Sequence, residues 1–115
     1  MHFIFDLDHT VIDSSHRQIT RADGSLDLDA WRRNNTRANI MADTLLPLAA
    51  QWRLADKKGA TIVICTARVM GEHDYEYLRA NGLRWDACLS RREGDATPDA
   101  DLKEKMIRQY AQARP

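Results

Sequence analysis

The sequence lacks the features of membrane-spanning, secreted and disulfide-rich proteins. No apolar run approaches the roughly 20 residues that a helix needs to cross a bilayer, and the first residues show no signal-peptide pattern. Cysteines are scarce, and both Cys65 and Cys88 fall in apolar segments. This placement favours reduced, buried thiols over a disulfide or a metal site. We therefore expect a cytoplasmic protein that does not associate with membranes.

An excess of charge of either sign is also missing. The 17 basic side chains balance 17 acidic ones, and the formal net charge is zero. This balance argues against a protein that is held on nucleic acid by bulk electrostatics, although it allows a local basic patch. Repeats, low-complexity tracts and linkers are absent as well, so residues 1–115 are expected to form a single domain.

Short apolar runs alternate with helical patterns along the chain. The patterns predict strands at residues 1–5, 60–65 and 86–89, and helices at 43–59, 74–81 and 99–113. The helix at 43–59 is expected to have Asp43 or Thr44 as its cap and Pro47 in its first turn. This alternation predicts a three-layer, Rossmann-like α/β fold with a parallel sheet.

Asp6 and Asp8 stand out because they directly follow an apolar strand and are separated by one residue. Side chains alternate along extended backbone, so both carboxylates face the same way. In open α/β sheets, ligands bind at the carboxyl ends of the strands. Two adjacent carboxylates repel each other unless a cation or a shared proton compensates. The pair therefore indicates either a metal site or an acid–base division of labour.

Two further polar residues are expected at the same edge. Thr66 follows the strand predicted at 60–65, at a junction between strand and helix that suits an oxyanion or a phosphate. Lys103 lies near the start of the last helix, where its ammonium would neutralise phosphate charge. Alone, Thr66 would be interpreted as a helix cap and Lys103 as a solvated surface residue. Together with Asp6 and Asp8 they indicate a phosphoryl-transfer site.

These residues carry a resemblance to a known family. Asp6-Leu7-Asp8-His9-Thr10, Thr66 and Lys103, in that order, resemble the first three motifs of the haloacid dehalogenase-like phosphohydrolases. The match is closest to one branch, the 3′-phosphatase domain of phage-type polynucleotide kinase. In that branch an arginine also stands two positions after the hydroxyl residue, as in Thr66-Ala67-Arg68. A segment similar to Arg92-Glu93-Gly94-Asp95, followed by an aspartate at the position of Asp99, also precedes the lysine there.

The resemblance implies a role for each matching residue. Asp6 would attack phosphorus and form an aspartyl-phosphate, while Asp8 would protonate the leaving oxygen and then activate water. Thr66 and Lys103 would hold the phosphoryl oxygens, and Arg68 would contact the phosphate. Mg²⁺ would be bound by Asp6 and by the main-chain carbonyl of Asp8.

One motif of the family has no counterpart here. Its acidic fourth motif, on a further strand, is expected about twenty residues beyond the lysine, whereas this chain ends at Pro115. Without that motif the magnesium site loses a ligand, and the apolar edge of residues 3–5 is left unpaired. Three explanations stay open: a truncated or naturally shortened chain, a strand from a partner chain, or the loss of full catalysis. The open edge also predicts that copies of the chain associate through the first strand.

The segment 14–42 matches the position of the family's small flap or cap insert. Its short length favours a lightly covered site, which suits polynucleotide ends and other bulky substrates. Leu26, Leu28 and Trp31 are its expected anchors on the core. Its arginines form either a solvated surface or a patch that faces the substrate, and they are Arg17, Arg21, Arg32, Arg33 and Arg37.

The expected function is Mg²⁺-dependent phosphomonoester hydrolysis through an aspartyl-phosphate, on a polynucleotide or nucleotide 3′-phosphate. Two alternatives from other classes stay open. One is a catalytically weakened module that binds phosphate or nucleic acid in the same pocket. The other is an assembly protein that uses the open strand edge.

Overall fold

The computed structural model describes residues 1–113, which form an α/β fold with two small sheets. In chain order the elements are β1 (His2–Phe5), β2 (Ile12–Asp13), α1 (Leu28–Arg33), α2 (Arg37–Met41), β3 (Thr44–Leu45), α3 (Leu48–Lys57), β4 (Thr61–Cys65), α4 (Glu72–Ala80), β5 (Ala87–Leu89) and α5 (Asp99–Gln112). A parallel sheet has the strand order β1-β4-β5, and β2 pairs with β3 in an antiparallel sheet. Within the described residues, no helix is long and apolar enough to cross a membrane.

The helix predicted at 43–59 begins later than expected. α3 begins at Leu48, with Pro47 in the N-cap position. The predicted cap residues have other partners: Thr44 belongs to β3, and the Asp43 carboxylate accepts a hydrogen bond of 2.9 Å from Arg17 Nε. The prediction of an Asp43 or Thr44 cap was therefore wrong, because strand pairing and a long-range ion pair override the local capping preference.

Helices pack on both faces of the central strand β4. Phe5 lies opposite Ile64 in the parallel register and stacks on Trp52 of α3, with ring centroids 5.1 Å apart. Because side chains alternate along a strand, Cys65 points to the other face, where its Sγ lies 4.0 Å from the main-chain carbonyl of Lys103 in α5. The α/β class and the mostly parallel sheet are confirmed, whereas a haloacid dehalogenase-like fold stays a prediction.

β1 is an edge strand and is more exposed than predicted. The sequence predicts a buried strand, but Phe3 and Ile4 are 38% and 43% exposed and, within β1, Phe5 alone is buried. The reason is the strand order, since β4 is the only neighbour of β1 within residues 1–113. An apolar edge with unpaired backbone groups favours pairing with another strand. Association of copies of the chain through this edge stays a prediction.

The segment 14–42 lies between β2 and β3. These strands pair with Ile12 opposite Leu45, so the two ends of the segment are close together. The prediction that Leu28 anchors the segment was wrong, because Leu28 is 52% exposed and α1 instead buries Ala30. The assignment of the segment as a flap or cap insert in a single domain stays a prediction.

Candidate active site

The carboxyl ends of β1 and β4 bring predicted site residues to one edge of the parallel sheet. Asp6 and Asp8 follow β1, whereas Thr66 and Arg68 follow the neighbouring strand β4. Lys103 comes from the second turn of α5 and reaches Asp6. The predicted residues therefore form two neighbouring groups, one around Asp6 and one around Asp8.

Asp6 and Lys103 form the open part of this site. Lys103 Nζ lies 3.0 Å from Asp6 Oδ2, and the two side chains are about one third exposed. The Asp6 carboxylate also accepts hydrogen bonds from the Leu7 N–H at 2.9 Å and from the Thr10 hydroxyl at 3.3 Å. This arrangement places an accessible carboxylate beside a cation that can neutralise an anionic substrate.

A tight turn after β1 holds the two aspartates on the same side of the chain. The Leu7 side chain is fully buried, and its carbonyl accepts hydrogen bonds of 2.9 to 3.2 Å from the N–H groups of residues 10–12. His9 has a φ of 64°, in the left-handed region that non-glycine residues rarely adopt. Because Leu7 points into the core, Asp6 and Asp8 both point away from it.

The Asp8 carboxylate accepts three hydrogen bonds, which fix its orientation. Arg68 donates from Nε to Oδ2 at 3.2 Å and from Nη2 to Oδ1 at 2.5 Å, and the Ser14 hydroxyl donates to Oδ1 at 2.7 Å. Burial alone would raise the pKa of Asp8. The hydrogen bonds and the charge of Arg68 outweigh burial, with a smaller contribution from Ser14, so the pKa falls below its ordinary value. Asp8 is therefore held in its ionised form.

Arg68 is buried between two carboxylates instead of facing solvent. Its Nη1 donates to Asp74 Oδ1 at 2.7 Å, and the side chains of Arg68 and Asp74 are 2% and 1% exposed. The predicted contact between Arg68 and a phosphate has no support in this arrangement, because the guanidinium is occupied by Asp8 and Asp74. Thr66 is buried as well, and its hydroxyl accepts a hydrogen bond of 3.0 Å from the Arg68 N–H. Its contact with a phosphate stays a prediction.

The segment 14–42 contacts this buried pair through Trp31. The guanidinium carbon of Arg68 lies 5.8 Å from the centroid of the Trp31 ring, and that of Arg17 lies 4.4 Å from it. Arg17 in turn donates two hydrogen bonds of 2.9 Å to Asp43. Guanidinium groups are attracted to the faces of aromatic rings at such distances, so Trp31 links the insert to the Asp8 side of the site.

The arginines of the insert do not form one uniform surface. Arg37 donates two hydrogen bonds of 2.9 and 2.8 Å to Glu76 in α4, so Arg37 and Arg17 both have structural carboxylate partners. The remaining three arginines are exposed, and Arg32 Nη1 lies 3.9 Å from Asp29 Oδ1 in the same helix. They are Arg21, Arg32 and Arg33. A patch of these arginines that faces a substrate stays a prediction.

Arg91 joins the start of α5 to the segment that carries Thr66 and Arg68. Its Nε donates to the Ala67 carbonyl at 2.8 Å, and its Nη2 donates to the Asp99 carboxylate at 2.7 Å. These contacts place α5, and with it Lys103, next to the end of β4. The sequence predictions did not include Arg91, Ser14 or Asp74 as site residues, because none of the three belongs to the motifs and their contacts with Ala67, Asp8 and Arg68 depend on the folded chain.

The described residues offer a limited set of ligands for magnesium. Residues 1–113 contain no group of three or more His, Cys, Asp or Glu side chains that could hold a metal ion. Both carboxylate oxygens of Asp8 are engaged by Arg68, which leaves its main-chain carbonyl as the predicted ligand. Asp6 fits as a carboxylate ligand, because it is partly exposed and Mg²⁺ commonly combines one or two carboxylates with substrate phosphates and waters.

Comparisons with known proteins point to one phage family. The family model described as "Bacteriophage T5 5′-deoxynucleotidase" matches residues 1–104. The curated 5′-deoxynucleotidase of Escherichia phage T5 is 45% identical over 85 residues, which cover 70% of this chain and 35% of that protein. The chain thus spans about a third of the length of this relative. No solved structure matches the chain, and the resemblance to haloacid dehalogenase-like phosphohydrolases stays a prediction.

Proposed function

The chain belongs to the bacteriophage T5 5′-deoxynucleotidase family, and on this premise we propose that it hydrolyses the 5′-phosphomonoester of a deoxynucleotide. The contact of 3.0 Å between Lys103 and the partly exposed Asp6 carboxylate carries the proposal. A nucleophile and a cation at the carboxyl edge of a parallel sheet suit the binding and transfer of a phosphoryl group.

The proposed reaction has two steps. In the first, an Asp6 carboxylate oxygen attacks phosphorus and the bond from phosphorus to the sugar 5′ oxygen breaks, with Asp8 giving a proton to the leaving oxygen. In the second, water attacks the phosphorus of the aspartyl-phosphate and gives a proton back to Asp8. Inorganic phosphate leaves, and both carboxylates return to their starting state. Lys103 neutralises charge on the phosphoryl oxygens in both steps.

The described geometry supports the second step more directly than the first. The paired contacts from Arg68 favour the ionised form of Asp8, as the lowered pKa of this group indicates. An ionised carboxylate is the form that takes a proton from attacking water. The first step requires the protonated form, in which the hydrogen bonds from Arg68 are weaker.

Magnesium is part of the proposal, with Asp6 and the main-chain carbonyl of Asp8 as its protein ligands. When bound, Mg²⁺ would stabilise charge on the phosphoryl oxygens. The other ligands would be substrate oxygens and waters.

The proposal and the expectation from the resemblance differ in the sugar position of the phosphate that is removed. The resemblance implied a 3′-phosphate on a polynucleotide or nucleotide, whereas the name of the phage T5 relative specifies a 5′-deoxynucleotidase. We therefore propose a 5′-phosphate. Matched deoxynucleoside 5′- and 3′-monophosphates, assayed for phosphate release with and without Mg²⁺, distinguish the two.

Asp6→Asn tests the covalent mechanism. We expect kcat for the 5′-monophosphate to fall by more than about 10³-fold, the range seen when a covalent nucleophile is removed. Asp23→Asn is the matched control, because Asp23 lies in an exposed turn where its carboxylate binds Ser25. Circular dichroism checks that both variants fold. Substantial turnover by folded Asp6→Asn would overturn the mechanism.

The alternative of a binding module predicts a different result for the unmodified chain. Such a module would bind inorganic phosphate or a nucleotide and would release no phosphate in saturating Mg²⁺. Binding without turnover would therefore overturn the enzymatic proposal.

A further inference from the structure

We infer that Asp74 is a positioning residue for this site: it holds Arg68 in the orientation in which the guanidinium fixes Asp8. The inference rests on the proposed function, because it assigns Asp74 to the acid–base side of that reaction. Asp74 itself does not reach the open Asp6 and Lys103 side, and it acts only through Arg68.

The contacts of Arg68 divide its guanidinium into two edges. Nε and Nη2 face Asp8 at 3.2 and 2.5 Å, whereas Nη1 faces Asp74 at 2.7 Å. Asp74 is itself fixed, because its second oxygen accepts a hydrogen bond of 2.8 Å from the Gly71 N–H at the start of α4. The carboxylate of Asp74 is therefore a rigid anchor for one edge, and the planar guanidinium transmits that orientation to the other edge.

The backbone of Arg68 is held independently of Asp74. Its N–H donates to the Thr66 hydroxyl at 3.0 Å, and its carbonyl accepts from the Arg91 N–H at 3.2 Å. Loss of Asp74 would thus leave the backbone of Arg68 in place and release mainly the guanidinium end of the Arg68 side chain. A buried guanidinium with an unpaired edge is costly, so it would turn toward other acceptors or toward water.

The expected consequence is specific to the chemical steps. Asp8 transfers protons in the proposed reaction, whereas the accessible Asp6 and Lys103 meet the phosphate. A small displacement of an acid–base group can cost about 10²-fold in rate. Removal of Asp74 should therefore lower kcat while KM and the affinity for inorganic phosphate change little.

A purely structural role for Asp74 has a different signature. The hydrogen bond to Gly71 caps α4, and its loss alone would lower stability without a selective effect on kcat. Asp74→Asn and Asp74→Ala separate the two roles. Asn keeps the shape and one acceptor oxygen, so this variant is the better one to keep the fold, whereas Ala removes both contacts.

The matched control is Asp56→Asn together with Asp56→Ala. Asp56 also accepts a hydrogen bond from an arginine, from Arg84 Nε at 2.8 Å. It lies at the end of α3, near the amino ends of the strands, so it has no contact with the proposed site. We expect both Asp56 variants to keep kcat within about twofold of the unmodified chain.

The experiment measures kcat and KM for a deoxynucleoside 5′-monophosphate and the inhibition constant of inorganic phosphate. For Asp74→Ala we expect kcat to fall by about 10²-fold, with KM and the phosphate inhibition constant within about threefold. The kcat of Asp74→Asn should lie between that of Asp74→Ala and that of the unmodified chain. A folded Asp74→Ala protein with an unchanged kcat, or with equal losses in kcat and phosphate affinity, would overturn the inference.

A second measurement does not depend on activity. Urea unfolding of Asp8→Ala, Asp74→Ala and the double variant tests whether the two aspartates act through a shared arginine. We expect the loss of stability in the double variant to differ clearly from the sum of the single losses. If the variants show this coupling but the unmodified chain releases no phosphate, the proposed function fails and the positioning of Arg68 by Asp74 is supported. Additive losses would overturn the positioning.

Discussion

Arg68 and Arg84 each bind two aspartates, but they do so at opposite edges of the same sheet. Arg68 binds Asp8 and Asp74 beyond the carboxyl end of β4. Arg84 binds Asp56 and Asp86 near the amino ends of β4 and β5, with N–O distances of 2.8 Å to each. The Arg68 side chain is 2% exposed and that of Arg84 is 55% exposed.

The difference in burial gives similar contacts different consequences. Water and salt can replace the partners of Arg84, so its ion pairs contribute little to the free energy of unfolding. Water has little access to Arg68 and Asp74, so solvent cannot replace the hydrogen bond between them. A buried cluster of this kind contributes to orientation, which the acid–base residue of the proposed reaction requires.

Loss of the arginine itself should give the largest contrast between the two clusters. Arg68→Ala leaves Asp74 buried without its cation, and breaking a buried ion pair in this way costs about 3–5 kcal/mol of the free energy of unfolding. Arg84→Ala leaves carboxylates that water can solvate, so we expect a much smaller loss. Urea unfolding followed by tryptophan fluorescence measures both changes, and equal losses would contradict the comparison.

The difference between the clusters was not visible in the sequence. The sequence shows a motif at Thr66-Ala67-Arg68 and predicts a helix from Asp74, whereas α4 begins at Glu72. The contact between Arg68 and Asp74 depends on the way α4 packs beside the end of β4, and no local pattern encodes that packing.

The elements that the sequence predicted well are those with strong local signals. The strand β4 is a continuous apolar run, and Gly59 and Gly82, which mark the ends of two predicted helices, have positive φ angles of 85° and 68°. The strand pair of β2 and β3 was missed, because strands of two residues have no periodicity. Asp43 was misassigned as a cap because its partner Arg17 is 26 residues away.

The sequence predicted that Asp6 and Lys103 lie at one edge of the sheet, from the end of a strand and the start of the last helix. Their direct contact of 3.0 Å was not predicted, and their roles stay predictions. The exposure of β1 and the burial of Arg68 did not follow, because both depend on which elements lie alongside them.

Salt should change the contributions of the Arg68 and Arg84 clusters to the free energy of unfolding by different amounts. Both changes should be smaller than the effect of losing Arg68. The Debye length falls from about 10 Å at 0.1 M to about 3 Å at 1 M ionic strength, and this screening acts mainly on exposed charges. We expect the stability difference between the unmodified chain and Arg84→Ala to shrink in 1 M NaCl. The difference for Arg68→Ala should stay nearly constant. Parallel urea titrations at low and high salt measure both, and a matching decrease would contradict the burial argument.

The smallest expected effect is a change in stability at acid pH, caused by Asp86 in the exposed Arg84 cluster. Hydrogen bonds from Arg84 and, to a lesser extent, from the Ile62 N–H lower the pKa of Asp86 below its ordinary value. Because the folded pKa is the lower one, the contribution of Asp86 to stability is complete above the unfolded pKa of about 3.9 and is lost as the pH falls through the folded pKa. Asp86→Asn should therefore flatten the loss of stability below about pH 4.

The same substitution in the Arg84→Ala background shows which donor causes the shift. Without Arg84, the Ile62 N–H still binds Asp86 at 2.8 Å, so part of the lowered pKa should remain. We expect Asp86→Asn to reduce the loss of unfolding free energy at acid pH in both backgrounds. The reduction should be smaller in Arg84→Ala than in the unmodified chain. Equal effects of Asp86→Asn in both backgrounds would assign the lowered pKa of Asp86 to the backbone contact, and Arg84 would then contribute nothing to it. Urea unfolding from pH 7 to pH 3 makes the comparison, and the difference between the two backgrounds measures how much of the ion pair between Arg84 and Asp86 survives exposure to water.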